Sequence, residues 1–157
     1  MKKSVRDKIV FVCTGNTCRS PMAQVFFEHY VRRIPEIVQY AVESAGIGAR
    51  EGQKSSSGAR FAVKAKGFSL EDHEARLVTQ AIVDGAVAII GATSAHETFL
   101  REHFSNLPEI CTSFAAFGGE IADPCGGDME SYGKIADEIE QKLPLVVEFL
   151  RKEFNDH

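Results

Sequence analysis

KIVFVCTGNTCRSPMAQ, residues 8–24, is the stretch on which the fold turns. Its first six residues form a continuous apolar, β-branched run of the kind buried on both faces of a parallel sheet. Its end opens a helix. Ser20 suits an N-cap and Pro21 a first helical position, ahead of a helical run over Met22–Arg33. Between them lies CTGNTCRS, at the carboxyl end of the first strand, where ligand crevices open in doubly wound sheets. A plain strand-to-helix turn requires neither a thiol nor a guanidinium, so the loop raises a question of chemistry as well as packing.

Outward from this stretch, strands are expected at Lys8–Cys13, Gln39–Ser44, Ala86–Ala92 and Ile110–Phe114. Helices are expected at Ser57–Lys66, at about 74–83, at Ser94–His103 and at Met129–Phe154. The last carries Ile135, Ile139, Leu143, Val147, Leu150 and Phe154 on one stripe. Pro144 lies inside it and should kink or split it. Strands alternating with helices indicate one doubly wound α/β domain spanning 1–157, with 1–7 a polar tail. The Gly- and Ser-rich segment 46–58 reads either as a rim over a site or as a plain connector.

A chain of 157 residues with 44% hydrophobic and 25% charged residues fits one ordinary globular domain. A net charge of −4 argues against a nucleic-acid partner, which needs a basic surface. No apolar run reaches the length of a membrane span. The start of the chain is too short in apolar residues for a signal peptide, so a cytoplasmic location is expected. The four cysteines, Cys13, Cys18, Cys111 and Cys125, form no CxxC pair. A structural metal is therefore not expected, and no cofactor is implied. Oligomeric state stays open.

Placed between a buried strand and a helix N-terminus, CTGNTCRS can aim several backbone N–H groups at an anion. Gly15 permits a turn that a Cβ would obstruct, and Asn16 tolerates left-handed geometry. Arg19 offers a planar, two-pronged grip on phosphate oxygens. Cys13 then lies at the base of a positive bowl that favours its thiolate, poised for in-line attack on phosphorus. Ser20 can donate to that sulfur, cap the helix, or both. The loop lacks the GK[ST] ending of nucleotide-binding phosphate loops.

With these residues in view, the chain resembles the low-molecular-weight protein tyrosine phosphatase family. The likeness rests on VCTGNTCRSPMAQ at 12–24, ESAG at 43–46, GFSLEDHEAR at 67–76 and the Asp-Pro at 123–124. It implies a single three-layer α/β domain with a four-stranded parallel sheet flanked by helices on both faces. It also implies a metal-free, two-step reaction on phosphorylated protein substrates, through a cysteinyl-phosphate. By that resemblance Cys13 is the nucleophile. Arg19 and the loop of Thr14, Gly15, Asn16, Thr17, Cys18 and Ser20 hold the phosphoryl group, and Asp123 is the general acid and then base. Expelling a poor leaving group independently calls for such an acid. Asn16, Ser44 and His73 are similar to the family's network behind the loop. Cys18 reads either as a redox partner for Cys13 or as a small buried residue.

Thr17 stands where many tyrosine-specific members carry a bulkier aliphatic residue. CTGNTCRSPMA is similar to the protein-arginine phosphatase branch, which puts phosphoarginine slightly ahead of phosphotyrosine. Cys125, however, replaces an aromatic residue expected in that branch. Thioredoxin-coupled arsenate reductases share the loop but need two further cysteines close together after the third strand. GATSAHETFLREHF, 91–104, contains none.

Overall fold

The apolar run that opens the chain becomes the spine of the molecule. In the computed structural model, which describes residues 5–156, β1 (Lys8–Cys13) lies between β2 (Ala41–Gly46) and β3 (Ala86–Gly91), and β4 (Ile110–Ser113) completes the sheet. The strand order is β2-β1-β3-β4, with every pairing parallel. Alternation along β1 divides the core. Ile9, Phe11 and Cys13 face one apolar cluster, while Val10 and Val12 face the other. The first cluster is closed by α1 (Arg19–Tyr30), α3 (Ser57–Lys64) and α6 (Met129–Asn155). The second is closed by α4 (Gln80–Gly85) and α5 (Ser94–His103). Phe11 anchors the larger cluster, with its ring 5.2 Å from that of Phe27 and 6.2 Å from that of Phe114. A short α2 (Pro35–Val38) leads into β2, and a 3₁₀ turn, Phe114–Phe117, follows β4.

The three-layer α/β fold with a four-stranded parallel sheet is therefore as expected, but several boundaries move. The second strand begins at Ala41 rather than Gln39, because α2 and the turn after it occupy 35–40. The helix expected over 74–83 shrinks to Gln80–Gly85. Residues 74–78 instead run extended, bridged to Lys54 and Gly46, with the Gly46 N–H on the Arg76 carbonyl and the Val78 N–H on the Gly46 carbonyl. Those backbone groups are taken by neighbours and are no longer free for a helical ladder.

Helix α1 begins at Arg19, three residues before the expected run, and ends at Tyr30. Its N-cap is Cys18, which makes no side-chain cap bond, so neither Ser20 nor Pro21 holds its expected position. Pro144 does not split α6, which runs unbroken from Met129 to Asn155. Of the tail expected over 1–7, residues 1–4 lie outside the described part. Arg6 is tied down, its guanidinium donating to the carbonyls of Val83, Ala86 and Asn106. Among the described residues no helix is long and apolar enough to cross a membrane.

Candidate active site

The loop between β1 and α1 is drawn open from behind. Four of its carbonyls, those of Cys13, Thr14, Asn16 and Thr17, are taken by donors outside it. The Ile47 N–H bonds the Cys13 carbonyl at 3.0 Å, Gly48 that of Thr14 at 2.9 Å, and Ser56 that of Thr17 at 3.0 Å. His73 Nε2 donates to the Asn16 carbonyl at 2.7 Å. Among the described residues, no N–H of 14–19 donates to a backbone carbonyl. Those N–H groups are therefore not spent on the backbone, and the start of α1 lies beside them with its dipole. Segment 47–56 thus braces the loop through the N–H groups of Ile47, Gly48 and Ser56. Gly46 makes the close approach possible, since a Cβ there would stand 2.4 Å from the Thr14 carbonyl oxygen and 2.9 Å from the Asn16 nitrogen.

Cys13 is buried at the foot of this wall, with its Sγ 2.8 Å from Ser20 Oγ. The polarity of that contact is set one step further back. Asn16, at φ 57°, is fully buried. Its Oδ1 accepts the Arg76 N–H at 2.9 Å, which fixes the orientation of the amide, because a backbone N–H can only donate. Its Nδ2 then donates to Ser20 Oγ at 2.8 Å and to Ser44 Oγ at 3.0 Å. Ser44 passes its hydrogen to Gln24 Oε1 at 2.7 Å. With an Asn16 hydrogen on its oxygen, Ser20 keeps its own hydrogen for the sulfur at 2.8 Å or for the Ala45 carbonyl at 3.4 Å. Asn16, Ser44, Ser20 and His73 are therefore brought together behind the loop. Burial holds His73 below the ordinary histidine range, against the opposing pull of its bond to the Asn16 carbonyl.

Arg19 is buried, its Nη1 donating to the Ile121 carbonyl at 3.0 Å, so the guanidinium has one fixed direction. Its Nη2 lies 3.8 Å from Asp123 Oδ2, and the Asp123 side chain is 52% exposed. Asp123 Oδ1 accepts the Cys125 N–H at 2.9 Å, a turn that aims the second carboxylate oxygen toward Arg19. The structure thus pairs Cys13 with Ser20, and Arg19 with Asp123, beyond the carboxyl end of β1. Cys18 is a free, buried thiol, with Sγ 3.1 Å from Ser56 Oγ, 3.6 Å from Tyr132 OH and 3.7 Å from Thr17 Oγ1. Thr17 is half-buried beside it. Cys111 is buried in the opposite core cluster, and Cys125 is exposed beside Asp123. Among the described residues no group of His, Cys, Asp and Glu side chains is arranged to hold a metal.

One residue in the site was not legible from the sequence. His96, on the first turn of α5, is buried, with Nε2 3.0 Å from Thr14 Oγ1 and Nδ1 3.1 Å from the Thr93 N–H. Burial, and then the nearby Arg19 charge, push it down to about 4. No local motif marks it, because its partner stands 82 residues away along the chain.

The geometry agrees with comparisons to known proteins. The model of the family "Low molecular weight phosphotyrosine protein phosphatase" matches residues 8–156. A protein-arginine-phosphatase from Geobacillus stearothermophilus is 35% identical over 150 residues, covering 93% of this chain and 97% of that protein. The low molecular weight protein-tyrosine-phosphatase PtpB of Staphylococcus aureus is 29% identical, covering 84% and 91%. Among solved structures, a Cys-to-Ser mutant of YwlE arginine phosphatase with a phosphorylated active-site serine superposes with a TM-score of 0.83 at 28% identity, covering 92% of this chain and 96% of that one. The match over nearly the whole chain, with a cysteine and arginine bracketing an open amide loop, shows that this hydrolase belongs to the low molecular weight phosphotyrosine protein phosphatase family.

Proposed function

We propose that the chain hydrolyses phosphorylated protein side chains in two steps through a cysteinyl-phosphate on Cys13, and prefers phosphoarginine to phosphotyrosine. The observation that carries the mechanism is the loop itself. Four of its carbonyls are tied back, among the described residues none of its N–H groups from 14 to 19 donates to a backbone carbonyl, and Cys13 Sγ lies 2.8 Å from Ser20 Oγ. In the first step the sulfur anion attacks phosphorus and the bond from phosphorus to the side-chain nitrogen or oxygen breaks. Asp123 delivers a proton to that leaving atom. Arg19 and the loop N–H groups take the charge on the equatorial oxygens, where fixed dipoles stabilise a transition state most. In the second step Asp123 takes a proton from water, the water oxygen bonds to phosphorus, and the S–P bond breaks to release inorganic phosphate. The Ser20 hydroxyl, directed by Asn16, stabilises the departing thiolate.

The phosphorylated active-site serine of the similar YwlE mutant supports a covalent phosphoryl-enzyme. The preference for phosphoarginine is supported by Thr17 and by the 35% identity to a protein-arginine-phosphatase, against 29% to PtpB. A reductase that relays electrons from the nucleophile gains nothing from this arrangement. Cys111 is enclosed on the far side of the sheet from Cys13, and Cys125 stands alone and exposed.

The direct test uses phosphoarginine and phosphotyrosine peptides with the parent enzyme, Cys13→Ser and Thr17→Ile. Cys13→Ser abolishes turnover and still binds inorganic phosphate, while Thr17→Ile moves the preference toward phosphotyrosine. Turnover by Cys13→Ser at the parent rate ends the mechanism. An unchanged preference in Thr17→Ile ends the argument from position 17.

A further inference from the structure

We infer that His96 is a positioning residue, held as its neutral Nε2–H form, that aims the Thr14 hydroxyl at the bound substrate. The tautomer follows from the contacts. The Thr93 N–H points at Nδ1 from 3.1 Å and can only donate, so Nδ1 carries no hydrogen. The ring hydrogen is then on Nε2, 3.0 Å from Thr14 Oγ1, and the hydroxyl oxygen accepts it. Thr14 consequently keeps its own hydrogen and one lone pair for a partner elsewhere. Among the described residues no other side-chain bond engages that hydroxyl, and Thr14 is exposed while His96 is buried.

The position is as telling as the bond. Thr14 directly follows the nucleophile. A buried imidazole reaching from another element to hold an exposed hydroxyl does nothing for the apolar core. It restricts a rotor beside Cys13, where freedom would weaken contact with a substrate. Gly91 keeps the ring in place, since a Cβ there would stand 2.9 Å from His96 Cβ and 3.1 Å from the Thr93 carbonyl oxygen. A charged imidazole would fail on both sides. Its Nδ1–H would face the Thr93 N–H, and its charge would lie near Arg19. The role presupposes that the loop binds a phosphoryl group, as proposed above.

The test measures kcat and KM for phosphoarginine and phosphotyrosine peptides, and competitive inhibition by inorganic phosphate. It compares the parent with Thr14→Val, Thr14→Ser, His96→Ala, His96→Gln and the Thr14→Val/His96→Ala pair. Thr14→Val and His96→Ala each raise KM by about tenfold with kcat far less affected, as expected for one lost hydrogen bond to a charged ligand. The paired variant is no worse than either single one, because both act through one hydroxyl. Thr14→Ser keeps the parent KM. His96→Gln recovers most of it, since its amide can accept from Thr93 and donate to Thr14. A matching loss of phosphate inhibition puts the contact on the phosphoryl oxygens, and a change in KM alone puts it on the side chain; either supports the role.

A parent-like KM in Thr14→Val, additive losses in the pair, or a His96→Gln as impaired as His96→Ala overturns it. Should His96→Ala fail to fold, Thr14→Val and His96→Gln still decide. Turnover lost in Cys13→Ser keeps the phosphatase mechanism standing whatever these variants show. Turnover surviving in Cys13→Ser sinks the mechanism instead.

Discussion

At the residue scale, the site depends on two groups whose partners are fixed by elimination. Asp123 is aimed by the Cys125 N–H and lies 3.8 Å from a guanidinium that is itself tied to the Ile121 carbonyl. If it protonates the leaving atom, Asp123→Ala slows hydrolysis of an alkyl or other poor leaving group by roughly 10²–10⁴. A nitrophenolate leaving group, which needs little protonation, suffers far less. Equal losses on both substrates would refute the assignment. His96 sets a second expectation, in stability. Folded, it resists a proton until about pH 4; unfolded, it takes one near the ordinary value of 6.5. Below 6.5 the unfolded chain therefore binds the proton first. This contribution to stability is complete above about pH 6.5 and drains away as the pH falls toward 4. His73, also held low by burial, acts with the same sign. The charged groups around His96 are Arg19, which opposes its protonation, and Asp123 and Glu120, which favour it. Urea midpoints measured between pH 7 and pH 4 should fall with acid, and less steeply in His96→Gln. At this scale the local motif pointed to Cys13 and Arg19, and the family resemblance to Asp123, but neither marked His96, whose contact with Thr14 is remote in sequence.

At the scale of elements, the phosphate loop takes its shape from what surrounds it. Segment 47–56 and His73 hold its backbone, the Arg76 N–H holds the Asn16 side chain, and Gly46 leaves the space they need. Gly46→Ala would drive a methyl to within 2.4 Å of the Thr14 carbonyl, so the loop must shift. The expected result is a loss of phosphate affinity and of kcat/KM of at least tenfold in a protein that still folds, read by inhibition and circular dichroism. Helix α6 offers the opposite case. Pro144 sits exposed inside an unbroken helix, where it removes a backbone bond without ending the element. The apolar stripe, with Ile139, Leu143, Val146, Val147 and Leu150 all buried, holds both halves to the core and outweighs that defect. Pro144→Ala should raise stability by about 1–3 kcal/mol in chemical denaturation. A destabilised variant would show that the proline fits a curvature that the helix needs. Periodicity alone exposed the long helix, and could not weigh its stripe against the proline.

At the scale of the whole molecule, β1 serves two cores and the loop that follows it at once. Phe11 is fully buried between the rings of Phe27 and Phe114, so Phe11→Ala should cost about 3–5 kcal/mol and lower the thermal midpoint by several degrees. A loss under 1 kcal/mol would mean that the larger cluster closes over the gap. The chain's own order determined much of this. The apolar run of β1, the glycine and asparagine after it, and the cysteine and arginine with five residues between them lie in one continuous stretch, so local sterics and alternation suffice to specify strand, turn and helix start. What only the tertiary structure decided concerns groups that meet across the fold. Residues 74–78 stay extended because Gly46, Gly52 and Gln53 claim their backbone groups. Ser20 turns from helix cap to thiol partner because Asn16 reaches it. His96 joins the site because β3 and α5 deliver it beside Thr14. Such pairings link residues far apart along the chain, and no run of neighbouring side chains encodes them until the sheet has brought them together.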